Sequence, residues 1–157
     1  MAGTGRRPIP LSPPDAVTVA QARASRDVRV VRHLRSGLVL RLSDADGLTR
    51  ASVHGEIDFD SADLLERVLS GALLAAPRGL HVDLGSVGFF DCAGLNALLR
   101  VCAQAGPGGG ELTVTAISAA VARVLDLTQT WLAFPLAAAP EDRAVPSVLP
   151  LHRARPA

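Results

Sequence analysis

The stretch Asp83-Leu84-Gly85-Ser86-Val87-Gly88-Phe89-Phe90-Asp91-Cys92-Ala93-Gly94-Leu95 decides how this chain of 157 residues is read. Two hydrophobic periods meet in it. Upstream, Leu80-His81-Val82-Asp83-Leu84 alternates apolar and polar residues, the mark of a short half-buried strand. Downstream, Leu95, Leu98, Leu99 and Cys102 share one face at helical spacing, and Asp91 stands where an N-cap is expected. A strand that feeds a helix in this way is the repeating unit of an α/β protein.

Working outward, the same alternation of periods recurs. Leu38, Leu40 and Leu42 alternate with Val39, Arg41 and Ser43, which predicts a strand. Ser43-Asp44-Ala45-Asp46-Gly47 is turn chemistry with Asp-Gly at its centre, so Leu48–His54 is the returning strand of a hairpin, ended by Gly55-Glu56-Ile57-Asp58. Leu64, Leu65, Val68, Leu69, Ala72 and Leu73 predict a helix capped by Asp60 or Ser61 and stopped by Pro77 and Gly79. Beyond the quoted stretch, Leu112–Ala116 predicts a strand. Ser118 can cap a third helix carrying Val121, Val124 and Leu125, and Trp131–Leu136 suits a Pro-interrupted edge strand. The order β-β-α-β-α-β-α implies an α/β fold with a mixed four- to five-stranded sheet. Its parallel part needs right-handed crossovers, with the helices mainly on one face. The domain spans 35–139. Residues 1–34 mix Pro, Ala, Arg and Asp and suit a flexible arm with a short helix near Val17–Arg26. Residues 140–157, rich in Pro and Arg, suit a flexible tail.

Composition narrows the chemistry. All sixteen basic residues counted as Lys or Arg are Arg, and there is no Tyr. A Walker A loop needs Lys, as do Schiff-base and PLP chemistry, so these are excluded. With 3% aromatic residues and a formal net charge of +1, a nucleic-acid module built on stacking and a basic field is not expected. No apolar run matches a signal-peptide core or a membrane span, which points to a cytoplasmic protein without membrane insertion. Cys92 and Cys102 form no C-x-x-C pair, and His33, His54, His81 and His152 are scattered, so neither a zinc site nor another cofactor is expected.

The remaining candidates for chemistry are few. The Gly-rich loop at 107–110 precedes a strand, so it offers no helix N-terminus to a phosphate. Asp83 and Asp91 could form a carboxylate pair, but their spacing fixes no separation. Cys92 stands beside a helix N-terminus, which favours a thiolate, while Asp91 next to it opposes one. A tyrosine-phosphatase-like loop is excluded because the next arginine, Arg100, lies too far on. Cys102 falls on the apolar helix face and reads as core.

The quoted stretch resembles the D-L-x-x-V-x-F-x-D-S-S/T-G-L motif of the STAS domain of bacterial anti-sigma factor antagonists. Gly55-Glu56-Ile57-Asp58 resembles that family's G-E-L/I-D. Glu111-Leu112-Thr113-Val114 and Ala122-Arg123-Val124-Leu125 are similar to its fourth strand and third helix. The resemblance implies a STAS fold and a binding protein rather than an enzyme, acting in transcription regulation and stress response. Such antagonists bind an anti-sigma factor, often a serine kinase of ATPase fold, and so free a sigma factor. The kinase phosphorylates the Ser after the motif's Asp and the antagonist lets go, because phosphate brings about −1.5 to −2 charge to that position. Here the phosphoacceptor-equivalent position is Cys92, followed by Ala93, and neither has a hydroxyl. The resemblance therefore implies an antagonist that is not phosphorylatable there. Its partner-binding patch is expected at Asp58, Asp91, Cys92, Ala93, Gly94 and Asn96, on a monomer or weak dimer. Ser86 and Ser118 remain as distant phosphosites, and oxidation of Cys92 as a substitute switch. Alternatives are a scaffold subunit of a transporter or signalling complex, and a Cys92-dependent thiol enzyme.

Overall fold

The computed structural model describes residues 20–22, 28–106 and 110–137. The hairpin forms where the Asp-Gly signal places it. Strands β3 (Val39–Ala45) and β4 (Leu48–Ile57) pair antiparallel from Val39↔His54 to Ala45↔Leu48. The two residues between them, Asp46 and Gly47, both have positive φ, at 52° and 79°. That backbone twist matches the twist of the strands it joins.

Two further strands precede the hairpin, inside the segment expected to be an arm. β2 (Val28–Arg32) pairs antiparallel with β3, and β1 (Ala20–Ala22) pairs antiparallel with β2. The helix expected near Val17–Arg26 is replaced, over Ala20–Ala22, by this extended pairing; the rest of that span lies outside the described residues. The reason is tertiary. β3 would otherwise be an open edge, and Val31 is buried against the core when β2 covers it.

After β4 the chain crosses over twice. Helix α1 (Phe59–Ala75) leads to β5 (Leu80–Phe90), and α2 (Cys92–Gln104) leads to β6 (Leu112–Ile117). β4, β5 and β6 are parallel neighbours, so the sheet order is β1 to β6 in sequence order, mixed as expected and six-stranded. Helix α3 (Ala119–Thr128) follows, capped by Ser118, whose hydroxyl accepts from the Val121 N–H. The expected last edge strand is a single 3-10 turn, Trp131–Ala133, with one parallel bridge between Val114 and Leu136. Pro135 cannot donate to a ladder, which keeps the segment from pairing further.

One face of the sheet supplies the core. Leu40, Leu42, Ala51, Val53, Leu80, Val82, Leu112 and Val114 are buried in one cluster with Leu65, Leu69, Leu73, Leu98, Val101, Val121 and Leu125 of the helices. Fully burying a leucine contributes about 1.5–3 kcal/mol, so the leucine stripe of α1 alone anchors that helix. The intervening strand residues, among them Arg41, Arg50, His54 and His81, stay half-buried or exposed. The helices thus lie mainly on one face. Among the described residues no helix is long and apolar enough to cross a membrane.

Candidate functional site

β4 and β5 end side by side, with Glu56↔Phe89 and Ile57↔Phe90 as the last pairs of their ladder. Each strand passes into its helix through an aspartate. Asp58 caps α1 and Asp91 caps α2, with nearly identical backbones (φ −122°, ψ −176° and φ −123°, ψ −175°). The carboxyl ends of parallel strands are where open α/β sheets carry their sites.

The two caps are built differently. Asp91 Oδ1 accepts from the N–H groups of Ala93 at 2.9 Å and Gly94 at 3.0 Å. Asp58 Oδ1 accepts from the Ser61 N–H at 2.9 Å and its hydroxyl at 2.8 Å, while the Asp58 N–H donates to Ser61 Oγ at 3.0 Å. This is a capping box with Ser61 in the third position, so the cap is Asp58, two and three residues before the expected Asp60 and Ser61. Losing either cap costs about 1 kcal/mol.

Burial pushes the Asp58 carboxyl up, but the hydrogen bonds from Ser61 and the charge of His33 outweigh this and hold it below the usual aspartate range. A carboxyl depressed in the folded state stabilises the fold above its unfolded pKa, and that contribution is lost as pH falls through the folded value. Urea unfolding followed from pH 6 down to about pH 2 should therefore show a loss of stability that is smaller in Asp58→Asn. An identical pH profile for the two proteins would remove Asp58 from the account of acid sensitivity.

Between the two caps lies a shallow groove of about 370 Å³, lined by Glu56, Asp58, Phe59, Asp60, Phe89 and Asp91. Four of these six residues are acidic, and the other two are phenylalanines that face solvent. Phe59 is 82% exposed and Phe89 47% exposed. Neither was expected as a site residue: Phe89 was read only as part of the STAS-like motif, and Phe59 falls in no motif. Glu56 was read only as part of the Gly55-Glu56-Ile57-Asp58 motif and Asp60 only as a candidate cap, so neither was expected as a site residue.

The other expected site residues lie along the start of α2. Cys92 is exposed at the first helical position, Ala93 is half-buried and Asn96 is exposed. Gly94 is different. It is buried, and a Cβ there would meet Ile57 Cγ2 at 2.6 Å and Phe90 Cε2 at 2.8 Å. Gly94 lets α2 seat against β4 and β5; it is a packing residue and not a surface contact.

Other candidates come apart. Asp83 Oδ1 accepts from the Gly85 N–H at 2.8 Å. It lies eight strand residues from Asp91, roughly 25 Å along a strand, so the two form no carboxylate pair. Cys92 and Cys102 sit on one helix, about 15 Å apart by helical rise, and both are free. Cys102, read as core, is half-buried and packs against the core, and this burial pushes its thiol up. No group of three or more His, Cys, Asp or Glu among the described residues is arranged to hold a metal ion. Residues 107–109 of the Gly-rich loop lie outside the described residues.

Comparison with known proteins finds likenesses of three kinds. The family model of the STAS domain matches residues 40–139. A curated protein of Bordetella bronchiseptica (strain RB50), named "Putative anti-sigma factor antagonist BtrV", is 28% identical over 105 residues, covering 67% of this chain and 90% of that protein. The crystal structure of an anti-sigma factor antagonist from Mycobacterium paratuberculosis superposes with a TM-score of 0.54 at 27% identity. That match covers 84% of this chain and 94% of the other.

Proposed function

The chain belongs to the STAS domain family, and from that premise we propose that it is a non-enzymatic anti-sigma factor antagonist. In this reading it binds an anti-sigma factor that is a serine kinase of ATPase fold, and so frees a sigma factor. The contact surface is the groove between α1 and α2, extended over Cys92, Ala93 and Asn96. Likeness to two anti-sigma factor antagonists over most of their lengths supports this reading.

One observation carries the regulatory half of the proposal. The position where the family places its phosphoacceptor is exposed, directly after the Asp91 cap, and holds Cys92 followed by Ala93. A thiol and a methyl offer a serine kinase no hydroxyl. The chain therefore stays competent to bind under conditions that release its phosphorylatable relatives.

Affinity capture on the full chain, followed by mass spectrometry, tests the partner. Recovery of an ATPase-fold serine kinase is expected, and recovery of a transporter instead favours the scaffold reading. Incubating chain, recovered kinase and ATP should leave residues 91–94 free of phosphate. Phosphate mapped there overturns the regulatory half.

A further inference from the structure

The mouth of the groove combines two features that seldom share a surface without a partner. Large aromatics on a monomer surface are ordinarily part-buried, yet Phe59 presents 82% of itself to solvent and Phe89, from the neighbouring strand, 47%. Around them stand Glu56, Asp58, Asp60 and Asp91, and no arginine lines the groove. His33, whose charge helps to lower the Asp58 carboxyl, is itself set back beneath the surface at 6% exposure.

The two aromatics have no structural duty that explains them. Phe59 is the first residue of α1, outside the stripe Leu64, Leu65, Leu69 and Leu73 that packs the helix down. Phe89 points away from the core that its neighbour Phe90 enters at 5% exposure. An exposed aromatic pair ringed by polar groups is the anatomy of an interface hot spot, where a few apolar anchors fill a pocket and a polar rim excludes water. The sign of the rim fixes the chemistry of the other side.

We propose that Phe59 and Phe89 are the anchors of the partner interface, and that they insert into an apolar pocket whose rim is arginine- or lysine-rich. This deepens the preceding reading and rests on it: the occupant is the anti-sigma factor, and its docking face is cationic. Four carboxylates steer that face and accelerate encounter, whereas the aromatics hold the complex once formed.

The test uses the full chain and the kinase it captures, titrated by calorimetry and by surface kinetics. Phe59→Ala should weaken binding by about 30-fold or more, the loss that defines a hot spot, mainly through faster dissociation. Phe89→Ala should weaken it by about tenfold or more. Raising salt from about 50 mM to about 500 mM should slow association several-fold. Leu74→Ala, at a residue 78% exposed on α1 but outside the groove, should bind as wild type does. Because Phe59 supports no packing, its variant should melt as wild type does, and circular dichroism checks that.

The outcomes separate. Binding of Phe59→Ala within threefold of wild type, or an equal loss in Leu74→Ala, overturns the anchor assignment and leaves the antagonist reading standing. Association indifferent to salt overturns the cationic face. A wild-type chain that captures no kinase overturns both the reading and the inference built on it.

Discussion

Gly55→Ala should cost this protein most of its stability. Gly55 has φ +93°, in the region L side chains rarely adopt, and a Cβ there would stand 2.3 Å from the Gly37 carbonyl oxygen and 2.9 Å from its carbon. Both are backbone atoms of the β2–β3 connection, so no side chain can rotate away. Backbone strain of about 1–3 kcal/mol adds to overpacking of about 1–3 kcal/mol, a large fraction of a typical 5–15 kcal/mol total. Relief would require the end of β4 to lift from the turn, and that end carries Glu56 and Asp58. Thermal and urea unfolding should show a loss of about 3 kcal/mol or more. Gly71→Ala is the control. Gly71 is an exposed residue inside α1 with nothing within 4 Å of an added Cβ, so it should gain about 0.5–1 kcal/mol. Comparable melting of the Gly55 and Gly71 variants would show that the close approach at Gly37 is not a constraint.

The second large effect is on regulation. With the serine kinase proposed as partner, Cys92→Ser should accept a phosphate that the wild-type chain does not, read by intact mass and peptide mapping. The substitution replaces one small group by another at an exposed helix start, so the fold should be unchanged. A hydroxyl that a kinase phosphorylates must stand against the nucleotide's terminal phosphate. The product then adds about −1.5 to −2 charge beside Asp91 and facing the remaining nucleotide phosphates. Like charge and the desolvation of a dianion both oppose the complex. Affinity for the kinase should fall by about tenfold or more after phosphorylation, since each 1.4 kcal/mol of repulsion is a factor of ten. If Cys92→Ser gains no phosphate while the wild-type chain still binds the kinase, the missing hydroxyl is not what withholds phosphorylation.

Particular residues show where reading the sequence succeeds and where it stops. Asp46-Gly47 specified the hairpin because only a few residue types tolerate φ > 0. Asp91 and Ser118 were legible as caps because a short side chain before a periodic apolar run has that one efficient use. The cap of α1 was misplaced because Asp58, Asp60 and Ser61 are all competent, and Ser61 is in fact the reciprocal member of the box. β5 was read as five residues and runs to eleven. Its ladder to β4 shifts register twice, so Gly85-Ser86 and Gly88-Phe89 break the alternation that a regular strand would show. β1 and β2 carry too short a pattern to stand out; they exist because β3 needs covering.

The site divides along the same line. Sequence alone determined the order of elements from β3 to α3, the STAS-like motifs, the Asp91 cap and the absence of a hydroxyl at positions 92 and 93, because each is a local property of residue type and spacing. Only the tertiary structure decided that Gly94 is packing, that Gly55 must be glycine against Gly37, and that Phe59 and Phe89 face solvent together inside a ring of carboxylates. Those facts depend on which chain segments come within a few ångströms of one another, and proximity between segments far apart in the chain, such as Gly37 and Gly55 or Ile57 and Gly94, leaves no trace in a local pattern.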